Sequence, residues 1–320
     1  MTVKPDPEFD VVIGGTWYAD VIFTGLAEPP RLGAEIWASG FAMTPGGTFN
    51  VVAAMHRLGL HVGWSTVFGN DAFSAFLLEE ARAEGLDERL FRVADRPRRV
   101  VTASFSMPHE RGFVSFEEWP DDLGEVELIG SHAGRCYFGG GLFPHPSPAD
   151  VRRALESRQA IYALDPQFTT ATLDTPLVVE TLELADVFIP NESEALQLTG
   201  STDAEAALEI LGRHTDLVVI KRGPRGAIAT HRGVRLEAPA LACDAVDTTG
   251  AGDCFNAGFI AGLLAGDSLE DSLGQANVCA GLSTTAPGVT AAPYLEQVRR
   301  FLAQADASRQ PTHQNTRNPT

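Results

Sequence analysis

The chain reads as an α/β protein: a mostly parallel central sheet flanked by helices, with a small β-sheet lid. Two observations predict this. From residue 135 onward, short apolar runs alternate with helical patterns, the rhythm of a parallel sheet covered on both faces. Two segments, near 16–45 and 98–120, break that rhythm and are rich in strand signals, which suggests a lid inserted into a larger α/β unit.

Taken in order, 9–14 is an apolar strand. Between Asp20 and Phe41, Pro29, Pro30, Gly33 and Gly40 cut the chain into short strands and turns. Residues 50–58 carry helical spacing and stop at Gly59. A strand is expected over 61–69 and a helix over 72–84, ended by Gly85. Residues 100–105 and 112–116 form a hairpin around a polar turn at His109, Glu110 and Arg111. The alternation then runs strand 136–138, helix 148–157 with Ser147 as its cap, strand 161–164, helix 176–185, strand 187–189, helix 204–213, strand 217–221 and helix 254–264. These elements divide the chain into an α/β unit (1–15, 46–97 and 121–305), a β-lid (16–45 and 98–120) and a disordered polar tail (306–320). No internal repeat is visible.

Composition narrows the function. The 320 residues include 24 Lys and Arg against 42 Asp and Glu, a net charge of −18. That balance argues against nucleic-acid binding, which needs clustered cations; it suits solubility. Only two lysines occur, Lys4 and Lys221, and neither sits in a Gly-Lys-Ser/Thr sequence, which excludes a P-loop. Cys136, Cys243, Cys254 and Cys279 form no Cys-x-x-Cys pair, so neither a zinc knuckle nor a disulfide framework is expected. With no long apolar run and no apolar leader pattern, a reduced, cytoplasmic protein that does not engage membranes is the expectation.

The strongest chemical signal is Asp247-Thr248-Thr249-Gly250-Ala251-Gly252-Asp253 running into an apolar helix. Small residues bare the backbone amides, and the helix start aims them at one point, an anion site. A carboxylate beside such a site is costly unless it works, and general-base duty beside a transferring phosphoryl group is such work. An ordinary loop with Asp253 as helix cap is the competing reading. Pro45-Gly46-Gly47-Thr48-Phe49-Asn50 permits close approach of a ligand, or is a plain turn. Asn191 and Glu194 follow a strand end and suit hydrated Mg²⁺, or cap a helix. Asp20, past the first strand, could hold two hydroxyls of a polyol, or be a solvated loop residue. Lys221 opens the turn Arg222-Gly223-Pro224-Arg225-Gly226 and could meet a nucleotide phosphate, or simply leave the sheet. Neither Gly14-Gly15 nor Gly139-Gly140-Gly141 has dinucleotide spacing, which disfavours an oxidoreductase.

Together these motifs resemble the ribokinase-like (PfkB) carbohydrate kinases over about residues 9–303. Gly46-Gly47 with Asn50, Arg57-Leu58-Gly59, Gly69-x-Asp71, Asn191-x-x-Glu194 and the Asp247–Asp253 signature lie in that family's order. The resemblance implies a three-layer α/β/α fold and an ATP-dependent kinase acting on a primary hydroxyl of a sugar or sugar-like substrate. By the same resemblance Asp253 is the catalytic base, and the amides of Gly250, Ala251, Gly252 and Asp253 form the anion hole. Asp20, Gly46, Gly47 and Asn50 bind the sugar. Lys221, Gly223, Gly226 and Asn277 contact ATP. Asn191 and Glu194 place Mg²⁺ largely through water, and Asp247 and Thr249 begin a monovalent-cation loop that makes K⁺ an activator. A homodimer through the lid is implied as well. Tyr18 stands where ribokinases usually carry Asn, Trp17 and Phe49 add bulk near the pocket, and an arginine of Arg96-Pro97-Arg98-Arg99 could read a substrate anion. Pocket-facing Trp17, Phe41 or Phe105 would instead favour a nucleoside kinase. A non-catalytic sugar or nucleotide sensor is the alternative outside the enzymes, and it would have no need of Asp253.

Overall fold

The structure, a computed structural model, describes residues 7–106, 111–118, 125–140, 148–156, 160–166, 170–286 and 291–309. Its main sheet has nine strands. In chain order these are β1 (Phe9–Gly14), β4 (Val62–Phe68), β5 (Phe91–Val93), β8 (Gly134–Gly140), β9 (Ile161–Asp165), β10 (Val187–Phe188), β11 (Leu217–Lys221), β12 (Ala227–His231) and β13 (Val234–Ala238). Their spatial order is β13-β12-β11-β10-β9-β8-β1-β4-β5. All pairings are parallel except β11–β12 and β12–β13 at one edge. That antiparallel edge hairpin lay outside the sequence reading. Its register carries Ala227 opposite Ala238.

Strands buried on both faces read as nearly continuous apolar runs. Alternation along them feeds two cores. Val11, Cys136, Phe138, Ala163 and Val219 face one layer, which contains α1 (Thr48–Arg57), α2 (Ala72–Glu84), α8 (Ala251–Ala265) and α9 (Leu269–Ser283). Val12, Tyr137, Tyr162, Leu164 and Val218 face the other, with α3 (Glu125–Ser131), α4 (Pro148–Glu156), α5 (Pro176–Leu182), α6 (Glu192–Thr199) and α7 (Ala204–Leu211). The three-layer α/β/α arrangement follows. α8 and α9 pack closely because Gly258 lies against Ala276 and Cys279; a Cβ there would come within 2.9 Å of the Ala276 Cα. α10 (Leu295–Arg309) extends past 306, where the sequence suggested a tail. Its Leu-Ala-Gln-Ala-Asp-Ala-Ser-Arg stretch is made largely of good helix formers, which explains the difference. Residues 310–320, Ser147, and His109 and Glu110 of the expected turn lie outside the described residues.

The second sheet is the lid, ordered β3-β2-β6-β7: β2 (Trp17–Thr24), β3 (Gly40–Gly47), β6 (Val100–Ser106) and β7 (Arg111–Glu117). Here the sequence reading is corrected. Pro45-Gly46-Gly47 is not a free turn but the end of an eight-residue strand paired with β2, and it runs directly into α1. Gly47 takes φ +63°, and a Cβ there would meet the Thr16 carbonyl at 2.6 Å, so only glycine suits this junction. The second entry to the lid is clamped by Asp71. Its side chain caps α2 through the Phe73 and Ser74 amides and accepts from the Arg98 amide at 2.8 Å.

Trp17 and Phe49, read as pocket residues, are instead core. Trp17 is fully buried, donates Nε1–H to the Val67 carbonyl at 2.9 Å and stacks on Phe68. Phe49 packs edge-on against Trp64. Period-two alternation explains this: Tyr18 and Asp20 share one face of β2, so Trp17 must take the other. Trp17→Ala is expected to cost about 3–5 kcal/mol in urea unfolding, because a large buried ring and a hydrogen bond are lost together. A cost below about 1 kcal/mol would show that the lid–core junction does not rest on this ring.

Candidate active site

Ligands of open α/β sheets bind beyond the carboxyl ends of the parallel strands. Those ends here carry Asp165 on β9, Asn191 just after β10 and Lys221 on β11. α8 starts in front of them. Its cap, Gly250, has φ +75°, and the following amides belong to a first turn with no helical partners. The Ala251 N–H closes on the Thr248 carbonyl at 3.3 Å, so the outward-facing donors are those of Gly252 and Asp253. Gly252 turns its bare face to Lys221; a Cβ there would sit 3.8 Å from Nζ.

Lys221 Nζ donates to both Asp165 oxygens, at 3.1 and 3.0 Å, and to Asn256 Oδ1 at 3.3 Å. Asn256 also donates its amide to Asp165. Asp253 faces this cluster and is hydrogen-bonded to the Asn50 side chain. Burial, reinforced by the Asp165 charge, raises the Asp253 carboxyl to about 7, while Lys221 and Asn50 oppose the rise. Sequence reasoning missed Asp165 and Asn256. A carboxylate at the end of strand 161–164, and an asparagine three residues after Asp253 on the same helix, were the signals available.

Asn191 and Glu194 form a reciprocal capping box on α6: each backbone N–H meets the other's side-chain oxygen, at 2.8 and 2.9 Å. Capping is therefore real, yet it does not use up Glu194. Burial raises this carboxyl, and Asp165 and Lys221 both act on it electrostatically, so it belongs to the same cleft. Asp165, Asn191 and Glu194 supply hard oxygen donors of the kind Mg²⁺ takes while keeping water. Among the described residues, no three His, Cys, Asp or Glu side chains form a ready metal cage.

The lid contributes Asp20. Its carboxylate lies on Gly46, where a Cβ would fall 2.1 Å from Oδ2, and burial raises it to about 6. Gly46 and Gly47 lead directly into α1, whose Asn50 meets Asp253.

The other expected site residues take these positions. Asn277 is buried on α9 and donates to the Ala238 carbonyl at 3.1 Å, tying down the chain after β13. Gly226 lies under that same chain; a Cβ would meet the Ala238 oxygen at 2.1 Å. Gly223 opens the short 3-10 turn Gly223–Arg225 beside it. Asp247 accepts from the Thr249 amide and hydroxyl, at 3.0 and 2.8 Å, while its own N–H joins that of Val246 on the Thr284 carbonyl. Phe41 and Phe105 lie beside Phe23 on the lid face opposite Asp20, so they do not face the cleft.

A bare helix start, a buried carboxylate and a lysine thus meet at the carboxyl ends of the parallel strands. Residues 24–296 match the model of the pfkB family carbohydrate kinases. A fructokinase of Klebsiella pneumoniae is 30% identical over 284 residues, 81% of this chain and 92% of its own. A 2-dehydro-3-deoxygluconokinase of Bacillus subtilis is 28% identical, over 81% and 86%. The fold superposes on an Arabidopsis thaliana ribokinase complexed with ribose and ATP, with TM-score 0.79 and 23% identity over 92% and 98% of the two chains. The chain belongs to the PfkB family of carbohydrate kinases, phosphotransferases that act on sugar hydroxyls.

Burial keeps Asp253 protonated to a higher pH than in the unfolded chain, where its value is near 3.8. The folded state therefore holds an extra proton between about pH 4 and 7, and this group's contribution falls as pH rises through that window. Asp253→Asn cannot ionise. It is expected to raise stability by roughly 1–3 kcal/mol at pH 8 and to change it little at pH 4, as read from thermal unfolding. An equal effect at both pH values would mean that the carboxylate is not strained by burial.

Proposed function

We propose that this chain is an ATP-dependent kinase that transfers the γ-phosphoryl group to a primary hydroxyl of a sugar, with Asp253 as general base. One observation carries the reading: Asp253 stands at the start of α8, bonded to Asn50, between the bare amides of that helix and Lys221. Asp20, Gly46, Gly47 and Asn50 orient the sugar so that one hydroxyl meets Asp253. The ionised carboxylate takes that hydroxyl's proton as the oxygen attacks phosphorus in line. The Gly252 and Asp253 amides donate to the oxygens of the phosphoryl group in flight. Lys221, held by Asp165 and Asn256, meets phosphate charge from the opposite side. Mg²⁺, held by Asn191 and Glu194 largely through water, supplies further neutralisation of phosphate charge when bound. Gly226 and Asn277 fix the chain over 238–240, and with Lys221 and Gly223 they form the ATP-contacting end. Asp247 and Thr249 begin the loop that a K⁺ ion would stiffen.

Of the two acceptor classes, the sugar is favoured over the nucleoside. Trp17, Phe41 and Phe105, the aromatics that could stack a base, lie in the core or on the outer lid face. That outer face also carries exposed Met43, Val114 and Phe116, which suits a second copy of the chain, so a homodimer through the lid belongs to the same proposal. The proposed division keeps a lid, 16–45 and 98–120, and an α/β body, 1–15, 46–97 and 121–305, with the lid strand β3 reaching Gly47 and α10 reaching Arg309. Among the described residues no helix is long and apolar enough to cross a membrane.

ADP release from Mg-ATP across a panel of sugars, sugar acids and nucleosides tests the reading. Wild type is expected to give an acceptor-dependent signal, and Asp253→Asn to lower kcat by about 10²–10⁴-fold. Because the base must be ionised, kcat/KM should rise with pH and level off above about 7. Turnover by Asp253→Asn equal to wild type would remove Asp253 from the mechanism and favour the sensor reading.

A further inference from the structure

The inner face of the lid carries a charge arrangement that the kinase assignment does not use. Tyr18 and Asp20 on β2, Val100 and Thr102 on β6, and Glu117 on β7 share this face, because Asp20 pairs with Thr102 and Val100 with Glu117 in register. Arg98 and Thr16 continue two of these rows toward the core. Arg98 is a fully buried cation, with 0% of its side chain exposed. Its guanidinium donates to Glu117 Oε1 at 3.2 Å and to Thr16 Oγ1 at 3.0 Å. The Tyr18 hydroxyl donates to the other Glu117 oxygen at 3.5 Å. Tyr18 lies against Gly47, where a Cβ would meet its ring at 2.7 Å, and so links the cluster to the sugar wall. The same tyrosine is acted on by Asp20, Arg98 and Glu117 together, which makes the four one electrostatic group.

An acceptor bearing a carboxylate or phosphate would need a cation with bonding capacity turned to the cleft. The arginine best placed for that is neutralised by Glu117. With that pair neutral, Asp20 and Asp253 leave the acceptor end with an excess of acceptors and, among the described residues, no free cation, which suits the hydroxyls of an uncharged polyol and disfavours an anion. We infer that the Arg98–Glu117 pair is a specificity device that restricts this enzyme to neutral sugars and rejects sugar acids and sugar phosphates. This rests on the kinase reading above and names its substrate class. The relatives act on both kinds of acceptor by name, a fructokinase and a 2-dehydro-3-deoxygluconokinase, so the distinction is a real one to make.

The experiment sets neutral ketohexoses, pentoses and polyols against 2-dehydro-3-deoxygluconate and ribose 1-phosphate. The proteins are wild type, Glu117→Gln and the double variant Arg98→Gln/Glu117→Gln. Binding is read by calorimetry in the presence of a non-hydrolysable ATP analogue, and turnover by ADP release. In wild type the best neutral sugar should bind at least roughly tenfold more tightly than either acid. Glu117→Gln leaves the Arg98 charge uncompensated and should narrow that ratio by roughly tenfold, mainly by strengthening acid binding. The double variant should restore the neutral preference. An acid bound by wild type as tightly as the best neutral sugar, or no binding by any neutral sugar, overturns the inference. So does a ratio that folded Glu117→Gln leaves unmoved. Where Glu117→Gln does not fold, the double variant decides: acid binding that stays weak supports the inference, and acid binding lost from a wild-type level overturns it. Selective neutral binding without turnover would sink the kinase reading instead and leave this one standing.

Discussion

Negative charge held out of water at the start of α8 governs this molecule. Asp253, Asp165 and Glu194 converge on one cleft, and Lys221 is the cation set among them. Desolvation and mutual repulsion push Asp253 toward neutral pH, while Lys221 and Asn50 limit the shift. A carboxylate in that range changes its protonation where a general base has to work. The surrounding architecture serves this placement. Parallel strands bring Asp165 and Lys221 to one edge, and the close α8–α9 packing lets the helix approach that edge with bare backbone.

The two sheets meet through specific ties rather than a linker. Trp17 carries the first lid strand into the core. Asp71 caps one helix and holds the Arg98 amide with the same side chain, so the second lid entry is registered to the α/β body. Gly69 permits the crossing, since a Cβ there would collide with the Arg98 nitrogen at 2.4 Å. The Gly69-x-Asp71 motif is thus an instruction for where the lid sits.

The parallel body was legible because strands buried on both faces are apolar runs, and 72–84 is bounded by a side-chain cap and a left-handed glycine that can be read directly. The edge hairpin β12–β13 and the two-residue β10 carry too little pattern of their own, and pairing alone defines them. In the site, Asp253 could be read because its meaning is local: small residues, a helix start and a carboxylate. Asp165 could not, because it acquires a role only when the sheet sets it against Lys221, 56 residues away. Glu117 is similar, 99 residues from Tyr18. Trp17 and Phe49 were misplaced because proximity in sequence was read as proximity in space, whereas strand alternation sends Trp17 to the face opposite Tyr18 and the first turn of α1 packs Phe49 against Trp64.

The continuity of β3 with α1 has a consequence for timing. Gly47 ends a lid strand, Thr48 begins the helix, and Asn50, in its first turn, touches Asp253. Only Thr48 and Phe49 separate the strand from Asn50, and Phe49 is anchored in the core. Such a short, structured connection has no slack in which motion could dissipate. On the proposed kinase reading, a sugar that pulled the lid inward would also load the asparagine bonded to Asp253. Acceptor occupancy and readiness of that carboxylate would then be a single mechanical event, a geared arrangement that discourages the nucleotide from being spent on water.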